Sequence, residues 1–272
     1  MTNITNRLIA GRNPFASPRL KNVKLVLNAC LVLLAVQCAV SILASKPQQA
    51  ATESQKKAGQ SQIQLSHSTS MDRYPDEYSA VQNYFQTQPT EHGTKKKKLL
   101  SFGSSTGEEA MTLASMYFKN DAFTVFGVDL HQESIDKANA SVATHEPKFK
   151  DGKIMLFNGN DSDLSVNGPY DAIFANSVLC YHGSPDVNAQ SIVKKYPFTD
   201  FEASVGYLDS NLKVGGILAI VNTNYHFSDT QLYTKYKPLS QCSNFVPKVD
   251  SNSIIYEELK KELDCVWVKE KN

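Results

Sequence analysis

The sequence predicts an α/β protein: a Rossmann-like, doubly wound, mostly parallel seven-stranded sheet whose last strand runs antiparallel, preceded by a single N-terminal transmembrane helix. Three observations predict it. An apolar run at Leu99 and Leu100 breaks into the small-residue turn Gly103-Ser104-Ser105-Thr106-Gly107, and a helical pattern starts at once. A second apolar run, Phe123 to Val128, ends on the carboxylate of Asp129. Far upstream, residues 25–44 carry no charge and are apolar apart from Asn28, Gln37 and Ser41. Alternation of strand and helix builds parallel sheets.

In chain order, residues 1–24 read as a basic head containing Pro14 and Pro18. At 1.5 Å per residue, residues 25–44 span roughly 30 Å, the thickness of a hydrocarbon core. A membrane anchor is the first reading, a cleaved secretory signal the second and a buried helix the third. Arg7, Arg12, Arg19, Lys21 and Lys24 precede the segment, against Lys46, Lys56 and Lys57 after it, a bias toward a cytoplasmic N-terminus. The side of the membrane that carries the domain stays open. Residues 45–70, rich in Gln, Ser, Ala and Lys, read as a disordered linker. Residues 71–272 are long enough for one domain with its own core.

Within that domain, residues 72–88 place Tyr78, Val81, Tyr84 and Phe85 at helical spacing, a helix laid against the sheet or over a ligand. Gly103 and Gly107 allow positive φ in the turn. Thr106 with Glu109 matches a capping box, which starts the next helix. Asp129 then stands at the C-terminal edge of the second strand, where open sheets hold ligands, and its carboxylate suits two ribose hydroxyls. The pair implies a nucleoside cofactor. A dinucleotide fits less well, because Gly103-x-x-x-Gly107 is not G-x-G-x-x-G and Glu108 opposes a pyrophosphate at the helix start.

Further along, residues 199–211 read as a helix and 216–221 as the fifth strand. Residues 245–249, 253–256 and 264–268 have the composition of closing antiparallel strands. Ser184-Pro185-Asp186 with Pro197 marks a long irregular loop suited to a substrate lid. A net charge of +1 gives no footprint for nucleic acid. The five cysteines form no C-x-x-C pair, so Cys180, Cys242 and Cys265 read as free thiols, and no histidine spacing indicates a metal.

Ser105-Thr106-Gly107-Glu108-Glu109 resembles the first motif of the chemotaxis glutamate methyltransferases, within the class I S-adenosylmethionine-dependent methyltransferases. Asp129 to Ala138, Gly159-Asn160-Asp161, Tyr170 to Phe174 with Ser177-Val178-Leu179, and Leu212 to Leu218 are similar to that superfamily's later motifs, in its order. The resemblance implies S-adenosylmethionine as cofactor. Gly103, Ser105 and Gly107 would line its methionine portion, with Ser104 and Thr106 among the cofactor-binding residues of the same turn; Glu108 would meet the ammonium and Asp129, beside Leu130, the ribose. Asn160 or Asp161 would meet the adenine amino group, and Asn176 and Ser177 would complete the site. Ser177 stands where the chemotaxis enzymes carry asparagine, and their N-terminal helical domain has no counterpart here. The implied activity is methyl transfer to an unidentified acceptor: a small molecule, a lipid-linked group or a protein side chain. Tyr181 and His182, past the fourth strand, are the catalytic candidates, with Tyr225 and His226 past the fifth. A catalytically silent cofactor- or partner-binding protein of the same fold and an NAD(P)-dependent oxidoreductase are the alternatives.

Overall fold

The computed structural model describes residues 66–88, 96–145, 149, 152–181, 188–243, 246, 248–250, 255–256 and 262–272. All belong to the compact unit Thr52–Asn272. The basic head, the apolar segment 25–44 and most of the linker lie outside them. Among the described residues no helix is long and apolar enough to cross a membrane.

The central strands are near-continuous apolar runs because both faces are covered. β1 (Lys97–Phe102) buries Leu99, Leu100, Ser101 and Phe102. It pairs in parallel with β2 (Phe123–Asp129) on one side and β4 (Tyr170–Phe174) on the other. β3 (Ile154–Asn158) extends the sheet beyond β2, and β5 (Leu212–Ala219) beyond β4. β9 (Glu262–Lys269) runs antiparallel to β5 and to β6 (Tyr236–Ser243), giving the order β3-β2-β1-β4-β5-β9-β6. The chain therefore forms the expected seven-stranded, mostly parallel sheet with its last strand reversed.

Helices connect these strands. α1 (Pro75–Thr87) buries Tyr78 and Val81. α2 (Glu108–Thr112) runs into a π-helical turn at Leu113–Tyr117, and α3 (Gln132–His145) follows β2. A short α4 (Leu164–Asn167) precedes β4. α5 (Ala189–Lys195) and α6 (Phe198–Ser210) precede β5.

Several boundaries differ from the sequence reading. The stretch after Asp186 is helical from Ala189 to Lys195, because Asn188 and Ser191 close a reciprocal capping box. The sixth strand is Tyr236–Ser243, a largely exposed edge strand that buries Tyr236 and Cys242 and tolerates Pro238. The residues expected to pair there, Lys248–Val249 (β7) and Ile255–Tyr256 (β8), form a separate two-stranded ribbon. Cys242 and Cys265 are not free thiols: strands β6 and β9 bring their Cα atoms to 5.9 Å and they form a disulfide. Cys180 is free and buried. Glu77 lies beside that disulfide, its carboxylate oxygen within 4.8 Å of both sulfurs.

Candidate functional site

At the carboxyl ends of β1, β2 and β4 lies a hollow of about 1090 Å³, open to solvent on one side. Its floor is the turn after β1. Gly103 has φ +74°, and a Cβ there would stand 2.4 Å from Val178 Cγ2, so only glycine fits. Ser105 and Ser177, both facing the hollow, hold φ of +48° and +53°. Such backbone costs a non-glycine residue on the order of 1–3 kcal/mol and clusters at functional sites.

Asp129 is fixed by two backbone donors. Ser105 N–H donates to its Oδ2 at 2.8 Å and His131 N–H to its Oδ1 at 2.9 Å. A carboxylate has about four lone-pair positions, so two remain for a ligand. Leu130, Gly159, Ser162 and Leu164 continue the wall beyond it.

Glu109 lines the same hollow. Its carboxylate accepts from Ser101 Oγ at 2.7 Å, Tyr78 OH at 2.9 Å and Asn176 Nδ2 at 2.7 Å. Burial pushes this carboxyl above its ordinary value, against the three hydrogen bonds and the nearby Arg73 charge that lower it. Burial, and then the Glu109 charge, push the Tyr78 phenol far up as well. Asn176 Oδ1 is buried without a partner. Arg73, also in the lining, donates from Nη1 to the Ser68 carbonyl at 2.9 Å, and with Glu109 and the Asn176 oxygen it gives the hollow one positive and one negative group, the complement of an amino-acid zwitterion.

Two further pieces close the hollow. Tyr74 OH lies 2.5 Å from Ser177 Oγ. Residues 66–70, expected to be the end of a disordered linker, lie along the rim. There the His67 carbonyl accepts from Ser105 Oγ at 2.8 Å, and the His67 ring stacks on His131 at 4.4 Å.

Of the residues singled out in the sequence, Gly103, Ser105, Asp129, Leu130, Asn176 and Ser177 line this hollow. Ser104, Thr106, Gly107, Glu108, Asn160 and Asp161 do not. Gly107, at φ +90°, caps α2 instead, and no side-chain capping box forms. Glu108 takes its hydrogen bond from Thr106 Oγ1, which leaves Glu109 free to turn inward. Asn160 is exposed and its Nδ2 supports the Leu130 carbonyl from outside. Asp161 is exposed. Tyr181 is half-buried, its N–H bound to Asn224 Oδ1, away from the hollow, and His182 lies outside the described residues. Sequence reasoning missed Glu109, Arg73, Tyr74 and residues 66–70; the second acid of Glu108-Glu109 was the one available signal.

No protein-family model matches the chain. No curated protein sequence matches it either. Among solved structures, TehB from Haemophilus influenzae is 17% identical over 71% of this chain and 62% of its own, with a TM-score of 0.40. A Clostridium thermocellum protein described as an rRNA methylase is 14% identical over 71% of this chain and 97% of its own, TM-score 0.41. A Staphylococcus aureus protein described as a caffeoyl-CoA O-methyltransferase is 19% identical over 46% of this chain, TM-score 0.32, and the chain spans 50% of its length.

Proposed function

We propose that this chain is an S-adenosylmethionine-dependent methyltransferase. One observation carries the reading: a single hollow presents a zwitterion-complementary end, formed by Glu109, Asn176 and Arg73, and a diol-complementary end, formed by Asp129. That set of groups suits an amino acid joined to a nucleoside, and a nicotinamide dinucleotide has no ammonium for Glu109. When bound, the cofactor supplies a methyl group already activated by its sulfonium. The chain's own residues bind and orient: Glu109 and Asn176 take the ammonium, Arg73 the carboxylate and Asp129 the ribose hydroxyls. Tyr74, Tyr78 and residues 66–70 keep water out.

The protein is tethered to a membrane through residues 25–44, the domain lying on the far, oxidising side. The charge bias around the segment supports this, and so does the Cys242–Cys265 disulfide, a bond that persists in such compartments. The acceptor is a small molecule, a lipid-linked group or a protein side chain.

Calorimetry on the detergent-solubilised full chain tests the cofactor. S-adenosylmethionine is expected to bind and nicotinamide dinucleotides to give no heat; the reverse result overturns the reading. Asp129→Ala is expected to weaken binding by roughly 1.5–3 kcal/mol, the range for hydrogen bonds to a charged group. Tight binding without release of S-adenosylhomocysteine in any lysate would favour a silent member of the fold.

A further inference from the structure

A second hollow, holding about 610 Å³ of space, opens past the end of β5. Its wall includes Asn222, Thr223, His226, Lys248, Asp264 and Trp267. Asn222 is common ground: it lines this hollow, and its Nδ2 donates to Ser177 Oγ, in the wall of the first, at 3.0 Å.

Lys248 is 5% exposed and lines this hollow. Its Nζ donates to Thr223 Oγ1 at 2.8 Å and to the Tyr225 carbonyl at 3.2 Å. Thr223 spends its own hydrogen on that carbonyl, at 2.7 Å, so Oγ1 can only accept from the amine. A neutral amine has two N–H bonds and one lone pair. Both hydrogens are used here, and the lone pair is the position left over. Burial pushes Lys248 down to about 7, against the opposing pull of Cys180 and Asp229; Asp264, His226, Tyr225 and Tyr233 are the other titratable groups lining this hollow. Trp267, 3% exposed, has an Nε1–H without a partner, a donor for a ligand oxygen.

We propose that the second hollow takes the methyl acceptor, a small molecule with a weakly acidic hydroxyl, and that Lys248 Nζ is the base that removes its proton. This rests on the methyltransferase reading. The acceptor O–H proton passes to the Nζ lone pair while an oxygen electron pair forms the new O–C bond. The C–S bond breaks with its electrons on sulfur, so a sulfonium and a neutral amine become a thioether and an ammonium. A carboxylate or thiolate acceptor would need no base.

Competitive acetylation of the solubilised full chain with acetic anhydride across a pH series, read on the Lys248 peptide by mass spectrometry, tests the base without any acceptor. Half-maximal reactivity is expected near pH 7, well below the ordinary lysine value of about 10.4. Reactivity that tracks the surface lysines, or none at all up to about pH 9, overturns the proposal. Turnover is then read as S-adenosylhomocysteine release with phenol, catechol, benzoate and thiophenol as probes. Release with the phenols is expected, reduced about 100-fold or more in Lys248→Met, with no rescue by Lys248→Arg, whose guanidinium stays protonated. Release only with benzoate or thiophenol, with none of the probes, or undiminished in Lys248→Met overturns it. Loss of S-adenosylmethionine binding by the wild-type chain would instead sink the underlying methyltransferase reading, which the acetylation profile does not depend on.

Discussion

Glu109 carries a cost in the empty protein. Burial raises its carboxyl, so the charged form is disfavoured and stability falls as pH rises through that raised value. Glu109→Gln removes the charge and keeps the shape, and Asn176 can turn its unpartnered oxygen toward the new amide. The variant is expected to melt higher than the parent without cofactor and to bind S-adenosylmethionine roughly ten- to a hundredfold more weakly, as scanning calorimetry and titration would read. Lys248 gives the opposite slope. Its folded value near 7 lies below the unfolded one, so the unfolded chain holds more protons between those values and this group makes stability rise with pH from about 7 to about 10. Denaturant titrations should show that rise flattened in Lys248→Met. At this scale the sequence showed Asp129 and Gly103 plainly, since a strand-end carboxylate and a turn glycine are local patterns. It hid Glu109 because two adjacent acids differ only in which one the helix start turns inward.

α1 is the element that most shapes the site. One side of it seats Tyr78 against Glu109, while Tyr74, just before it, reaches Ser177. Glu77 on the same helix is buried beside the Cys242–Cys265 bridge. The bridge fastens edge strand β6 to β9 across a separation of 23 residues, and closing such a loop is worth about 3 kcal/mol in the chain-entropy model. Reduction, or Cys242→Ser, is expected to lower the melting temperature by several degrees with the sheet retained, as circular dichroism with and without reductant would show. Central strands were legible because burial on both faces forces continuous apolar runs. β6 was not, because an edge strand largely open to water carries few apolar residues and includes a proline. The cysteine pair was hidden for a related reason: spacing along the chain says nothing about register between β6 and β9.

For the molecule as a whole, contacts of the domain reach back before Met71. Residues 66–70 have the makeup of a linker, yet they dock through the His67 carbonyl and ring. A backbone carbonyl is available from any residue, so composition cannot announce that contact. Truncation before Ser66 is expected to leave a soluble domain that binds S-adenosylmethionine. Truncation before Met71 should weaken binding roughly three- to tenfold, about the worth of one or two net hydrogen bonds, by calorimetry on the two fragments.

Tyr74 and Asn222 reach the Ser177 hydroxyl from the walls of the two hollows. One hydroxyl thus serves both walls as a common post. Ser177→Ala is therefore expected to loosen both at once, read as weaker cofactor binding together with a raised KM for the acceptor.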